Sequence, residues 1–249
     1  MKKVLCAFFA VACVCVFISA CKKQTENYTS AAISDYFPLQ VGSTYLYRLD
    51  STVPAAFGSS LIVKYYQAKD SIESTFNDNL GRTSYRIFRY TRDTAANMPW
   101  QFAATYYATN TGQSLEYVDN NLRFIKLHTP INEDFSWSGN SYIDTRSANT
   151  TVSYLDDWDY QYQNIDSSYT VLNKAYDSTI TVFQKDETLP EGPLNPAYRQ
   201  DRNYSKEVYA KGIGLIYREF LHSTWNVSSA GSGYEPNSFG VKLQLISYK

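Results

Sequence analysis

The densest group of chemistry-capable side chains in this sequence is Asp156-Asp157-Trp158-Asp159, with Tyr160 and Tyr162 following. Carboxylates beside aromatic rings suit a sugar site, where a ring stacks on the sugar's apolar face, or a calcium site fed by oxygens. The spacing is not that of an EF-hand, and a solvated turn leading into a strand accounts for the same residues, because turns collect Asp. On a strand, period two would place Trp158, Tyr160 and Tyr162 on one face, so these rings and Asp157 form the candidate binding site. The competing reading makes the rings core residues of an ordinary strand.

Other reactive types are sparse. His128 and His222 are the only histidines. They fall on separate strand-like segments with no carboxylate at ligand spacing, so no metal site is expected. Glu133 and Asp134 are adjacent, and adjacent strand residues point to opposite faces, which does not suit a glycosidase pair. The sequence holds no Gly-x-Ser-x-Gly elbow, P-loop or dinucleotide fingerprint, and Gly231-Ser232-Gly233 reads as a loop. We assign no catalytic residue and no cofactor.

Chemistry of another kind is written at the start of the chain. Lys2 and Lys3 precede an apolar run from Val4 to Ala20 that is broken only by Ser19, the layout of a secretory signal peptide. The run is shorter than the ~20 residues that a transmembrane anchor needs. Ile18-Ser19-Ala20-Cys21 resembles the bacterial lipobox, which implies a diacylglycerol on the Cys21 thiol and cleavage before it. Cys6, Cys13 and Cys15 lie in the segment to be removed, so the expected mature domain has no disulfide and is held by its core. Loss of Lys2 and Lys3 takes the 23 basic residues to 21 against 24 acidic ones, a formal charge of −3. That balance gives no reason to expect nucleic acid.

These features must be carried by elements that the rest of the sequence specifies. The polar stretch from Lys22 to Ser34 reads as a tether, which divides the chain into a signal peptide (1–20), a lipidated tether (21–34) and one β-rich domain (35–249). The 23 Tyr and 13 Phe, with Thr and Val, mark pleated half-buried strands. Alternating runs predict strands at Tyr45–Leu49, Leu61–Gln67, Ser84–Thr91, Thr105–Thr109, Ser114–Val118, Leu122–Leu127, Ser178–Phe183 and Val241–Tyr248. Asp119-Asn120-Asn121 predicts a hairpin turn, and so does Lys211-Gly212 between Glu207–Ala210 and Leu215–Leu221. No helical period extends far. The expected fold is mostly β, a curved antiparallel sheet or partly closed barrel with few or no long helices. Pro190, Pro193 and Pro196 punctuate Glu187–Ser205, which reads as a surface loop or a lid rather than central sheet.

The opening Asp35-Tyr36-Phe37-Pro38-Leu39-Gln40-Val41-Gly42 and the later Tyr209-Ala210-Lys211-Gly212-Ile213-Gly214-Leu215 resemble a group of secreted Bacteroidota lipoproteins, as does the closing Leu245-Ile246-Ser247-Tyr248. The resemblance covers both ends and little of the middle. It implies an envelope location and a β-rich fold, and it lends no catalytic residues. Ser51, Ser71, Thr94 and Ser178 each follow an Asp in a pattern similar to the O-glycan acceptor of that lineage; strand ends and turns would also collect such pairs. Lys22 stands where Asp would retain a lipoprotein at the inner membrane, so the outer membrane is expected. Lys22-Lys23-Gln24-Thr25 lacks acidic residues, which favours its periplasmic face over the cell surface. The expected role is non-catalytic binding of an apolar or glycan ligand on a Tyr-rich sheet. The alternative is a structural or assembly lipoprotein contacting another envelope protein, with a hydrolase behind both.

Overall fold

The computed structural model describes residues 31–229 and 231–249. The signal peptide, Cys21 and most of the tether lie outside these residues. The chain forms β1 (Thr44–Pro54), β2 (Leu61–Asn77), β3 (Thr83–Asp93), β4 (Gln101–Asn110), β5 (Ser114–Asp119), β6 (Leu122–His128) and β7 (Ser136–Ser138). It continues through β8 (Asp159–Val171), β9 (Lys174–Leu189), β10 (Gln200–Ala210), β11 (Gly214–Ser228), β12 (Gly231–Tyr234) and β13 (Phe239–Tyr248). The expectation of a mostly β protein with a curved, nearly closed antiparallel sheet holds.

Twelve strands follow one path, β6-β5-β4-β3-β2-β1-β13-β11-β10-β9-β8-β7, with β12 paired to β11 alone. Two meanders are thus joined where β1 meets β13, Tyr45 opposite Tyr248. The path ends at β6 and β7, and these ends face each other. Ile125 donates its backbone N–H to Gly139 (2.8 Å), and the Trp137 indole donates to Ile125 (2.8 Å). Such bonds satisfy edge groups that would otherwise be left unpaired.

Alternation explains why these segments are strands. On β2, Ala68, Asp70 and Ile72 are buried while Lys69 and Ser71 are partly exposed, the period of a sheet with one packed face. Asn120 and Asn121 take φ of +50° and +62° in the β5–β6 turn, as their short polar side chains allow. Gly212 takes φ of +73° between β10 and β11, where a Cβ would be strained.

A short helix, α1 (Ile33–Tyr36), closes one end of the barrel. Ile33 and Tyr36 are buried in the core, Gly212 donates to Asp35 O (2.6 Å), and Phe37 packs edge-on against Tyr117 and Tyr209. The domain therefore begins before Asp35, because Ile33 spends its apolar surface on the core instead of in a tether. The stretch Glu187–Ser205 also needs correction. β9 runs to Leu189 and β10 starts at Gln200, paired on both sides, so only 190–199 forms a loop. The prolines all fall within that loop.

Candidate functional site

The aromatic cluster is placed inside the barrel wall. Trp158, Tyr160 and Tyr162 are 1%, 1% and 0% exposed, so they are core residues and present no ring face at the outer surface. Their polar tips are engaged as well. The Trp158 indole donates to Tyr154 O (2.7 Å), the Tyr160 hydroxyl to Asn140 Oδ1 (2.9 Å) and the Tyr162 hydroxyl to His128 O (2.8 Å). The neighbouring carboxylates point elsewhere. Asp157 has an 80% exposed side chain and lies 3.0 Å from Arg146, which also bonds Asp156. Thr145 and Arg146 hold the Asp156 carboxyl below its usual range. Ring and carboxylate, adjacent in sequence, are thus separated into core and surface, and the binding patch read from their spacing is corrected to a structural wall.

The remaining sequence candidates fall apart in space. His128 lies at the end of β6, its Nδ1 2.6 Å from Thr129 O, on the same side of the barrel as α1. His222 lies toward the opposite end on β11, stacked on Tyr154 with centroids 3.8 Å apart, and burial lowers its pKa. Glu133 accepts the backbone N–H groups of Asn164 (2.9 Å) and Ile165 (3.0 Å) and so braces β8. Of the four O-glycan candidates, Ser51, Ser71 and Ser178 are half-buried within strands, whereas Thr94 is exposed just after β3.

What the barrel does bring together is a set of charges in its interior. Asp70 and Arg89 are register partners on β2 and β3, joined by two bonds of 2.6 Å. Lys126 of β6 donates to Glu207 of β10 (2.7 Å), and the Tyr209 hydroxyl donates to the same carboxylate (2.6 Å). Arg218 of β11 lies 3.5 Å from Glu207 and 4.0 Å from Asp119. Burial opposes ionisation of Glu207, but Lys126 and Arg218 outweigh it and hold the carboxyl below its ordinary range. Burial dominates at Lys126 and lowers its pKa despite Glu207. It also raises the phenol pKa values of Tyr47, Tyr117, Tyr160 and Tyr209.

Two internal cavities flank the Lys126–Glu207–Arg218 group, and both touch Lys126 and Arg218. One of about 50 Å³ is bounded toward α1 by Phe37 and Pro38, with Tyr45, Tyr47 and Tyr117 on its walls. The other, of about 90 Å³, lies toward the opposite end and is lined by Trp158, Tyr160, Phe220 and Phe239. The charged groups form a partition across an aromatic lumen. No protein-family model matches this sequence, and the comparison with curated proteins gives no match.

The sequence reading missed this partition. A signal for part of it was present: Asp70 shares parity with Ala68 and Ile72, and Arg89 with Ile87, which puts charges on the apolar face of two strands. Lys126 was harder to read, since apolar residues stand both at its parity (Leu122, Phe124) and beside it (Ile125, Leu127), which leaves β6 without clean alternation.

Proposed function

We propose that this chain is a lipid-anchored envelope protein that binds a small apolar or amphipathic molecule in its barrel lumen, without transforming it. The observation that carries the reading is the pair of cavities in a Tyr-rich interior, set on either side of a buried charged group. An apolar space with a few convergent polar groups is the general form of a small-molecule site. The lipobox-like Ile18-Ser19-Ala20-Cys21 supports the anchor, and Lys22 supports the outer membrane, periplasmic side.

Native mass spectrometry of the protein purified from its own envelope tests the lumen. The expected result is a non-covalent adduct that leaves on mild activation. A spectrum holding polypeptide and anchor alone overturns the binding role. Cys21→Ala tests the address separately, since the variant should lose its lipid and its membrane fraction.

One observation favours the assembly reading as a second. Phe57 is fully exposed with φ of +56° at the tip between β1 and β2, and Ile62, Val63 and Tyr65 are exposed on the same hairpin. A large ring held in an unfavourable backbone conformation in water is a feature of contact surfaces. This tip lies at the end of the barrel opposite α1.

A further inference from the structure

Past the aromatic wall, the mouth of the barrel opposite α1 turns polar. Asn203 and His222 are register partners on β10 and β11, and Glu187 of β9 completes their row. One row farther out stand Asp201 and Thr224, joined through the Thr224 hydroxyl (2.6 Å). Tyr154 stacks on His222, and Arg199 and Glu235 close the rim of an open cleft of about 290 Å³ that all of these line. Its size is near the low end of small-molecule sites, about 300 Å³.

Asn203 and His222 are 6% and 5% exposed, yet each keeps one side-chain polar atom that bonds no described residue. Their mutual bond joins His222 Nδ1 to Asn203 Oδ1 (2.8 Å), which leaves the imidazole Nε2 as a free acceptor and the Asn203 amide as a free donor. With the amide turned the other way, the pair would still present one donor and one acceptor. Burial lowers the His222 pKa, so the ring is neutral at pH 7. The charges around the cleft are already met. Glu187 pairs with Lys185 (3.1 Å), Asp201 and Glu235 share Arg199 (3.0 and 3.3 Å), and Asp156 holds Arg146 (3.1 Å). Four carboxylates to three cations disfavour an anion. A group that accepts from Asn203 and donates to His222 at once is a hydroxyl.

We propose that this mouth binds a neutral saccharide, one ring hydroxyl bridging Asn203 and His222 and adjacent hydroxyls bonding the Asp201 and Glu235 carboxylates at the rim. The site is separate from the lumen and stands whether or not the lumen holds a ligand. The full chain in lipid nanodiscs, isotope-labelled at the ring nitrogens of His128 and His222, is titrated with the methyl glycosides of glucose, galactose and mannose. A parallel titration uses 2-methoxytetrahydropyran, the same ring without hydroxyls. At least one glycoside is expected to bind at millimolar concentration or below and to shift the Nε2 signal of His222, while His128, on the side of α1, stays unmoved. The hydroxyl-free ring should bind about tenfold more weakly or worse, the loss of one or two neutral hydrogen bonds.

His222→Phe, which keeps a ring on Tyr154, and Asn203→Leu should each weaken the glycoside about tenfold. His128→Phe should leave its affinity unchanged, and it assigns the remaining imidazole signal to His222. Failure of all the glycosides to bind, equal binding of the hydroxyl-free ring, or an affinity that survives both substitutions overturns the saccharide site. Should both site variants fail to fold, the His222 signal and the comparison with the hydroxyl-free ring on the unaltered chain still give the answer.

Discussion

Asp70 and Arg89 face each other across the β2–β3 ladder inside the barrel, and the guanidinium grips the carboxylate through both of its oxygens. Burial opposes the charge on Arg89, and Asp70 more than compensates, so the guanidinium pKa is raised. Each partner makes the other's burial tolerable. Arg89→Met alone strands a buried carboxylate and should cost about 3–5 kcal/mol in urea unfolding. The double variant Asp70→Leu, Arg89→Met should recover most of that loss. A double variant as unstable as the single one would show that the pair does more than neutralise itself.

Truncation of the aromatic wall tests its structural assignment. Trp158→Ala or Tyr160→Ala should each lower stability by about 3–5 kcal/mol, as large-to-small core changes do. Asp157→Asn, next in sequence but exposed and able to keep the φ of +54° there, should stay within about 0.5 kcal/mol of the parent. Chemical denaturation midpoints at constant slope separate the two classes.

Gly139 offers a sharper probe of the same wall. A Cβ there would lie 2.4 Å from the Tyr160 ring, which is fully enclosed and pinned through its hydroxyl to Asn140. Since the ring has nowhere to go, Gly139→Ala should cost about 1–3 kcal/mol by overpacking. Thermal unfolding of the variant checks this. An unchanged midpoint would mean that the β6–β7 seam yields easily.

The lowered pKa of Glu207 sets a pH dependence. Because its folded value lies below the ordinary 4.5, the stability it contributes is present above 4.5 and is lost as pH falls through the folded value. Glu207→Gln should therefore flatten the acid limb of the stability curve below pH 4.5 while lowering the plateau above it. Urea midpoints measured from pH 7 downward give the comparison, and parallel curves for the two proteins would refute it.

The assembly reading has its own check. Phe57→Asp removes a fully exposed ring from a turn whose backbone, not its ring, packs on β12, so thermal stability should be unchanged, while any envelope protein held there should disappear from a crosslinked complex. Retention of every crosslinked partner would assign Phe57 no contact role.

Much of the fold was legible in the sequence because short runs rich in Tyr, Val, Ile and Leu mark β1, β3, β5, β6 and β13, with Val241, Leu243 and Leu245 alternating cleanly in the last, and because Asn120, Asn121 and Gly212 announce their turns. β8 was hidden by its own irregularity. Asn164 and Asp166 take φ of +53° and +54°, the ladder to β9 shifts register between Gln163 and Ser167, and so the polar run Gln163–Ser168 shows no clean alternation. The site was harder still. Glu207 and Arg218 are register partners across the β10–β11 hairpin, but Lys126 comes from β6, and only closure of the sheet brings it within ion-pair distance of Glu207. Trp158 and Tyr160 misled for the opposite reason, since a local pattern gives the face that residues share but not the side on which the core lies.

The ladder between β1 and β13 has a consequence for the order in which the molecule can assemble. Among the described strands β1 is made first and β13 last, so the first meander must wait with one long edge bare until the others have been delivered. An intermediate that stalls before Phe239 keeps two open edges at once, one on β1 and one on β11, each a template for pairing with another chain. The ten residues of β13 therefore act as a clasp, and the time between the emergence of β1 and of β13 is the interval in which the chain is most exposed to aggregation.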